Sequence, residues 1–480
     1  MTTTGGAASS GGPTSLEILH PAGFVRSWAR LGSGPGDRLA PTIPFRPKDG
    51  DDRPDVVLLS PSRSERRDPG WTEKAAGLAA TVDGDGLVAV VGPSRRLLDA
   101  LRSRGLEPQL TLLHAPDIER SRFVVPIPGP QARFALRSVI PLRAPKRLAA
   151  RILTLPGAES LAPTSLILRP RGAAPLFGWL AELTPRRASC SMVLIRSWRA
   201  EGATVVMRFG DGSGPDVIAK VGGSPGSEAD GLRAVAPGAL RARIQVPRLV
   251  AESQLGGRPL LIETPVQGHP AALAVDGSSR RTAKALTALA EHLRAWEVGS
   301  AVRRPMMAAD LDRDLIAPAR RLAAELPGGY VEGFAARAAE LVGSEVPFVA
   351  AHRDVTAANV MLASGDRIGL IDWEEATLET LPLGDLASAA VDFAAASDGY
   401  RDRVAAYRHC FEPGGRFTAL TADLIAAAAR GLAIGPETVR FALEACWLNH
   451  ADNEHSTTTD PAVARPFMSI MRRVAARTME

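Results

Sequence analysis

Cysteine is almost missing from this chain: Cys190, Cys410 and Cys446 are the only three in 480 residues. An odd count spread this widely offers neither a disulfide framework nor a structural zinc site, and fits a reducing compartment. Aromatic residues make up only 5% of the sequence, so Leu, Val and Ala must fill the cores. No stretch approaches the ~18 uncharged apolar residues that a membrane-spanning helix needs. The opening Met1-Thr-Thr-Thr-Gly-Gly has no basic start and no apolar run, so no secretory signal is expected. Charge is nearly balanced, 57 basic side chains against 52 acidic, which gives no reason to expect specific nucleic-acid binding. These absences together predict a cytoplasmic protein, with a peripheral position at the inner membrane surface as a variant of that expectation.

What is present is apolar content sufficient for more than one core. Hydrophobic residues are 45% of a chain longer than one core normally supports, so at least two domains are expected. Residues 1–20 open with Gly, Ser, Thr and Ala and read as a disordered tail. Asp55-Val-Val-Leu-Leu59 and Gly86-Leu-Val-Ala-Val-Val91 read as buried parallel strands. Helices over Trp71–Val82 and Arg95–Arg104 alternate with them, and strands near 109–113 and 121–126 follow. This pattern predicts an open α/β sheet over residues 21–165. Pro163, Pro170, Pro175 and Pro185 break up the next stretch, which also holds a helix candidate at 145–153 and a short strand candidate at Ser165–Leu168, so residues 166–188 read as a linker. Residues 121–200 carry 13 Arg or Lys against Glu159 and Glu182. That belt either faces water or meets an acidic protein or a membrane surface.

From residue 189 the pattern changes to short strands at 191–195, 204–209 and 217–221, separated by Gly, Asp and Ser. Lys220 stands in an otherwise apolar strand, where a long amine needs a partner, and Glu228 on the following helix is the candidate. Downstream, Val349-Ala-Ala-His-Arg-Asp-Val-Thr-Ala-Ala-Asn-Val-Met-Leu362 sets His352, Asp354 and Asn359 on one turn-rich segment. Ile368-Gly-Leu-Ile-Asp-Trp then returns Asp372 at the end of a short apolar strand. A carboxylate base beside an amide oxygen and a second carboxylate suits transfer of a phosphoryl group from a nucleoside triphosphate to a hydroxyl. Asn359 and Asp372 are the candidate Mg²⁺ ligands, hard oxygen donors both. Asp385 reads as the N-cap of a later helix. The acids between Pro305 and Leu326, Asp310, Asp312 and Asp314, either recognise a cationic acceptor or, with the arginines beside them, face solvent, and the solvent-facing reading is preferred. Asn449-His-Ala-Asp-Asn-Glu-His-Ser456 reads as a surface loop.

The run from His352 to Asp372 resembles the catalytic loop and metal-binding motif of the aminoglycoside phosphotransferase and choline kinase-like family, over about residues 189–480. The resemblance implies ATP and Mg²⁺ as cofactors, with Asp354 as catalytic base and His352 bracing its loop. It further implies that Lys220 and Glu228 serve the phosphates and that Gly202 lies in the phosphate-covering turn. The hinge that meets the adenine edge would run from Glu263 to the amide of Val266. Pro382-Leu-Gly-Asp-Leu386 is similar to the segment where this family has an Asp that opens a helix and braces the catalytic loop, which implies that role for Asp385. Arg353 departs from the pattern, since this family usually has a small residue there. Over about residues 55–128 the sequence resembles part of a class I methyltransferase-like fold without its glycine-rich cofactor loop. The nearest glycine cluster, Gly32 to Gly36, is too close to Asp55, so no S-adenosylmethionine binding is expected.

The expected fold class is then an α/β amino-terminal domain plus an α+β protein kinase-like two-lobed domain. Its antiparallel-sheet small lobe would span 189–270 and its mainly helical large lobe 271–480. The expected function is an ATP- and Mg²⁺-dependent phosphotransferase acting on a hydroxyl of a small molecule. A sugar, an amino alcohol or an envelope saccharide precursor are the candidate acceptors. A catalytically inactive kinase-fold scaffold and an aminoglycoside phosphotransferase remain the alternatives.

Overall fold

In a computed structural model the described residues are 15–22, 25–35, 53–115, 123–127, 164–184, 192–196, 203–209, 214–223, 225–458 and 461–479. The chain divides into two compact units, residues 1–226 with 248–265, and residues 227–247 with 266–480. The first is rich in sheet and the second is mainly helical.

The first unit begins with α1 (Ser15–Leu19), followed by β1 (Trp28–Leu31), β2 (Val56–Leu59), α2 (Pro69–Ala79), β3 (Leu87–Val91) and α3 (Arg95–Ser103). β4 (Leu106–Ala115), β5 (Phe123–Ile127), β6 (Thr164–Pro170), α4 (Gly178–Leu183), β7 (Met192–Arg196), β8 (Thr204–Arg208) and β9 (Val217–Val221) continue it. β11 (Leu249–Leu255) and β12 (Arg258–Glu263) complete the unit. The strands form a single eleven-stranded sheet in the order β1-β2-β3-β6-β4-β5-β7-β8-β9-β12-β11. β1, β2 and β3 run parallel, and every later pair is antiparallel.

Period-two alternation explains how the parallel strands are covered. Val56, Leu58, Leu87, Ala89 and Val91 enter one core, which also holds Leu16, Ile18, Leu19 and Trp179. Val57, Leu59, Val88 and Val90 enter the other, against Trp71, Ala75, Leu97 and Leu101 of α2 and α3. Strands buried on both faces read as continuous apolar runs, which is why these two were visible in the sequence. α2 starts at Pro69 because the Asp68 side chain accepts the Gly70 amide and proline suits the first helical position. Ser94 caps α3 by accepting the Leu97 amide at 3.2 Å.

Three expectations change here. Residues 15–20 are not a tail: Leu16, Ile18 and Leu19 are fully buried, each worth about 1.5–3 kcal/mol in place. The Trp179 indole donates to the Ile18 carbonyl at 3.0 Å, and Glu17 pairs with Arg258 at 3.0 Å. Residues 166–184 are not simply a connector, because β6 lies between β3 and β4 and α4 supplies Trp179 and Leu180 to the core. The core that holds Leu16 also contains Val206, Ala219, Leu260 and Ile262, so the α/β strands and the antiparallel strands share one apolar face. Finally, Arg169 of the basic belt is buried, its guanidinium donating to the carbonyls of Gly86 and Asp85 at 3.3 and 2.8 Å. Much of that belt, the helix candidate at 145–153, Cys190 and Gly202 lie outside the described residues.

Trp28–Leu31, with no clean strand signature, is a strand because Asp55 anchors its approach. The Arg26 and Ser27 amides donate to the Asp55 carboxylate at 2.6 and 3.2 Å. The glycines that follow serve close packing. A Cβ on Gly32 (φ +110°) would lie 2.2 Å from the Ser60 carbonyl oxygen, and the Gly34 amide donates to that oxygen at 2.7 Å.

The second unit contains α5 (Pro225–Arg241, from Ser227), β10 (Ile244–Gln245), β13 (His269–Pro270), α6 (Ala271–Val275) and α7 (Ser279–Ser300). Next come β14 (Val302–Pro305), α8 (Ala308–Leu311), a π-helical turn at Asp312–Ile316, α9 (Ala317–Arg321) and α10 (Tyr330–Ala339). Then follow β15 (Glu345–Ala351), β16 (Val360–Leu362), β17 (Ile368–Leu370), β18 (Thr377–Thr380) and α11 (Gly384–Ser397). α12 (Arg403–Phe411), α13 (Thr418–Leu432), α14 (Pro436–Thr457) and α15 (Pro461–Met479) close the chain. The small sheets β10-β17-β16-β13 and β14-β15-β18 are set among these helices. α11, its residues almost all buried, is the central helix. Among the described residues no single helix is long and apolar enough to cross a membrane; α13 and α14 meet that test only together and are bent by 117°.

Candidate active site

β15 delivers the chain to His352 fully buried, and Asp354 follows two residues later. The His352 ring bonds in two directions. Nδ1 accepts the Asp354 amide at 3.3 Å, which puts the ring proton on Nε2, where it donates to the Ile371 carbonyl at 3.1 Å. One imidazole thus joins the Asp354 loop to the chain just before Asp372. Trp373, also fully buried, packs against it with the rings tilted at 60° and their centroids 4.6 Å apart, and its own indole donates to the Leu370 carbonyl at 3.0 Å.

Asn359 lies within reach of Asp354. Its Nδ2 donates to the Asp354 carboxylate at 2.8 Å and to the Asp354 carbonyl at 3.1 Å. With both donors on the loop, the amide oxygen is the atom left to face a ligand. β16 and β17 set the other side: Val360 pairs with Leu370, and the Ile371 amide donates to the Asn359 carbonyl at 3.1 Å. Asp372 is the next residue, so the hairpin register brings Asn359 and Asp372 to the same end of the sheet. An amide oxygen and a carboxylate suit Mg²⁺, which takes one or two protein carboxylates and completes its shell with phosphate and water. Among the described residues no group of three or more His, Cys, Asp or Glu is placed to hold a metal ion.

Three non-glycine residues around this site have left-handed backbones: Arg353 (φ +66°), Asp372 (φ +71°) and Leu383 (φ +71°). Such conformations cost of order 1–3 kcal/mol each and persist only when their surroundings fix them. A buried carboxylate does so in every case. Asp385 accepts the His352 and Arg353 amides, both at 2.7 Å. Glu228 accepts the Trp373 amide, next to Asp372, at 3.2 Å. Glu297 accepts the Leu383 amide at 2.8 Å. Asp392, seven residues beyond Asp385 on α11, adds a fourth anchor by accepting the Ala357 amide at 2.8 Å. Gly231 on α5 permits the close approach, since a Cβ there would lie 2.5 Å from the Trp373 carbonyl oxygen.

Asp385 is therefore not a helix cap. Leu383 holds the N-cap position, and Asp385 sits in the first turn of α11 with its carboxylate turned back to the loop. Burial pushes its pKa up to about 6, against the two amide bonds that favour the charged form. Burial raises Glu297 further, to about 8. Between its ordinary 4.5 and about 8 the folded chain keeps a proton on Glu297 that the unfolded chain has released. Stability contributed by that proton is lost as pH rises through this window, at no more than about 1.4 kcal/mol per pH unit. Glu297→Gln keeps an oxygen for the Leu383 amide and removes the titration. Its melting temperature should gain on that of the unmodified protein between about pH 5 and about pH 8. A constant difference across that range, measured by calorimetry, would contradict the assignment.

The nucleotide-side candidates divide between the units. In the first, Lys220 is buried on β9 and its Nζ lies 3.7 Å from the Glu263 carboxylate on β12, one diagonal step across the ladder. In the second, Glu228 makes the Trp373 bond described above, and the Val266 side chain packs where a Cβ on Gly369 would fall. Gly202 lies outside the described residues.

A cavity of about 450 Å³ opens within the helical unit, lined by Arg353, Glu375, Glu379, Asp385 and residues of α14. That volume is in the range of small-molecule sites. Two readings change here. Asp314, Arg313 and Arg321 line this cavity, and Asp310 is buried against Arg304 at 3.0 Å, so the acid- and arginine-rich stretch is not merely a solvated face. Asn449–Ser456 is the continuation of α14, where Asn449 donates to the Asp314 carbonyl at 3.1 Å and Asp452 accepts from Arg321 at 2.9 Å. His450 in the cavity wall is neutral, its pKa lowered to about 4 by burial, and burial pushes the Cys446 thiol up.

Residues 207–420 match the model of the phosphotransferase enzyme family, APH. Among solved structures, the chain is similar to a thermostable mutant of aminoglycoside phosphotransferase APH(4)-Ia in ternary complex with AMP-PNP and hygromycin B. The identity is 15%, over 62% of this chain and 98% of that one, with a TM-score of 0.42. It is also similar to macrolide 2'-phosphotransferase MphH from Brachybacterium faecium, at 16% identity over 57% and 89% of the two chains and a TM-score of 0.35. No curated protein sequence matches the chain.

Proposed function

We propose that this protein is an ATP- and Mg²⁺-dependent phosphotransferase that phosphorylates a hydroxyl of a small molecule. The observation that carries the reading is the Asp354–Asn359 pair, its Nδ2–carboxylate bond of 2.8 Å set beside Asp372 by the β16–β17 register. The match of residues 207–420 to a phosphotransferase family supports it.

Asp354 accepts the proton of the acceptor hydroxyl as its oxygen bonds to the γ-phosphorus and the β–γ bridging bond breaks. In a loose transfer state the hydroxyl becomes acidic late, so an ordinary carboxylate in hydrogen-bond reach is sufficient. Asn359 fixes the Asp354 carboxylate through its amide NH₂ and offers its oxygen to Mg²⁺ together with Asp372. Bound there, Mg²⁺ neutralises phosphate charge. His352, Asp385 and Asp392 hold the loop rather than touch substrate. The assignments of Lys220, Glu228, Gly202, Glu263 and Val266 to nucleotide follow from the sequence resemblance.

Calorimetric titration with ATP, with and without Mg²⁺, tests the reading, with acceptor-dependent ADP release as the second measurement. Mg²⁺-dependent binding is expected. A folded protein that binds neither ATP nor GTP at about millimolar concentration would instead be a non-catalytic binding protein on this fold.

A further inference from the structure

Tyr400 is the only exposed aromatic side chain among the described residues, at 42% exposure. It follows the end of α11. The Gly399 and Tyr400 amides close that helix on the Ala396 and Ala395 carbonyls, at 2.9 and 2.8 Å. Both residues are left-handed, Gly399 at φ +66° and Tyr400 at φ +55°. Glycine takes that backbone freely, but a ring-bearing side chain is strained in it. Strain of this kind concentrates at active sites and ligand clamps.

The Tyr400 hydroxyl donates to Oδ1 of Asp392 at 2.9 Å, the same oxygen that accepts the Ala357 amide at 2.8 Å. Arg403 pairs with the other Asp392 oxygen at 2.8 Å. Ala357 lies inside the turn that Asp354 opens and Asn359 closes. There the Thr356 amide donates to the Asp354 carbonyl and the Asn359 amide to the Thr356 carbonyl, both at 3.0 Å. One oxygen atom thus joins the phenol to the turn that carries the proposed base. Burial of the hydroxyl and the Asp392 carboxylate hold the phenol's pKa well above its usual 10, and the charge of Asp354 acts on it in the same direction. The arrangement reverses the usual one for tyrosine, whose apolar ring is buried and whose polar tip reaches water. Here the tip is enclosed and bonded, and the ring meets solvent. The Arg403 guanidinium stands over that ring, 5.7 Å from its centroid, and is itself packed on Phe467 at 4.7 Å. Bracing Asp392 needs only the hydroxyl, so the exposed ring has no task inside the protein.

We infer that the Tyr400 ring is a contact surface for the acceptor, and that the acceptor carries its reacting hydroxyl on a ring with an apolar C–H face. The inference rests on the reading of Asp354 as the base. Among the candidate acceptors it selects a cyclic one, a saccharide or a carbocyclic polyol, over an acyclic amino alcohol. A C–H face stacks on an aromatic ring as two apolar surfaces leaving water, whereas an open chain has no such face to offer. The bond to Asp392 fixes the ring relative to the Asp354 turn, so a stacked acceptor is presented to the base in a set orientation.

The chain has three tyrosines, and the other two, Tyr330 and Tyr407, are buried. Fluorine NMR of the full chain labelled with 3-fluorotyrosine therefore reads Tyr400 directly, with Tyr400→Phe assigning its resonance. Methyl β-glucopyranoside and myo-inositol are the cyclic probes, and sorbitol is the acyclic one. At least one cyclic probe should shift the Tyr400 resonance saturably and leave Tyr330 and Tyr407 in place, while sorbitol at equal concentration moves none of them. The probe that acts identifies the ring as saccharide or carbocycle. In calorimetry on the chain saturated with Mg–ADP, the same probe should bind at least about fivefold more tightly than sorbitol. Tyr400→Phe keeps the ring and should keep most of that preference, and Tyr400→Ala should lose it. If the alanine variant does not fold, Tyr400→Gly serves in its place, since glycine suits the left-handed backbone. A Tyr400 resonance that no cyclic probe moves, a shift that sorbitol matches, or a preference that outlives the ring overturns the inference. Failure of the unmodified chain to bind Mg–ADP would count against the phosphotransferase reading instead, and the fluorine titration, which needs no nucleotide, is read independently of it.

Discussion

Asp354→Asn should lower turnover by ~10²–10⁴ while leaving Mg–nucleotide affinity nearly unchanged. The substitution is close to isosteric, and the new side-chain oxygen can accept the Asn359 Nδ2 proton that the carboxylate accepts at 2.8 Å. The Asp354 amide keeps its bond to His352, and the His352 and Arg353 amides keep theirs to Asp385. The loop therefore retains its anchors, and what disappears is a site able to take the hydroxyl proton. Steady-state kinetics with any acceptor that turns over, beside nucleotide calorimetry, measures both quantities. A parallel fall in affinity and turnover would place Asp354 on the nucleotide side and reverse the assignment of roles.

The candidate residues of this site were more legible in the sequence than the groups that hold them. Asp354, Asn359 and Asp372 stand out because polar residues in a fixed order interrupt apolar strands. Glu297 carried no such signal. It lies in an amphipathic helix among other charged residues, and the amide it receives belongs to Leu383, 86 positions away. Asp392 was hidden similarly, inside the alanine-rich α11, where nothing local shows that its carboxylate meets Ala357. Glu228 was noticed for Lys220, yet its bond to Trp373 became visible only once α5 and the segment after β17 were placed together. A helix glycine such as Gly231 was the available hint of close approach.

Burial geometry governs the fold in the same way. β2 and β3 were legible because each is apolar throughout, covered on both faces. β1 was not, since Trp28–Leu31 is only half-buried and owes its place to pairing with β2 and to Asp55. β6 was legible only as a short strand at Ser165–Leu168, its full extent cut by the prolines at its borders and by Arg169, a residue that reads as solvent-facing but in fact satisfies the Asp85 and Gly86 carbonyls. Prolines at strand ends interrupt a sequence pattern without interrupting the ladder between them.

Asp372→Ala should abolish the Mg²⁺-dependent part of nucleotide binding, the opposite signature from Asp354→Asn. Asp372 leaves β17 with φ +71°, held between the Ile371 amide on Asn359 and the Trp373 amide on Glu228. Asp tolerates this backbone better than Ala, so the alanine variant also carries local strain of order 1–2 kcal/mol. Asp372→Asn separates the two effects, because Asn accepts the left-handed conformation and offers an oxygen but no charge. The expected order of Mg²⁺-dependent affinity is unmodified protein, then Asp372→Asn, then Asp372→Ala. The asparagine variant should melt close to the unmodified protein. Titration of each with ATP in Mg²⁺ and again in chelator gives the comparison. The alanine variant in Mg²⁺ should match the unmodified protein in chelator. If it instead retains a full Mg²⁺ effect while folded, the metal is held elsewhere, and the pairing of Asn359 with Asp372 as its ligands must be given up.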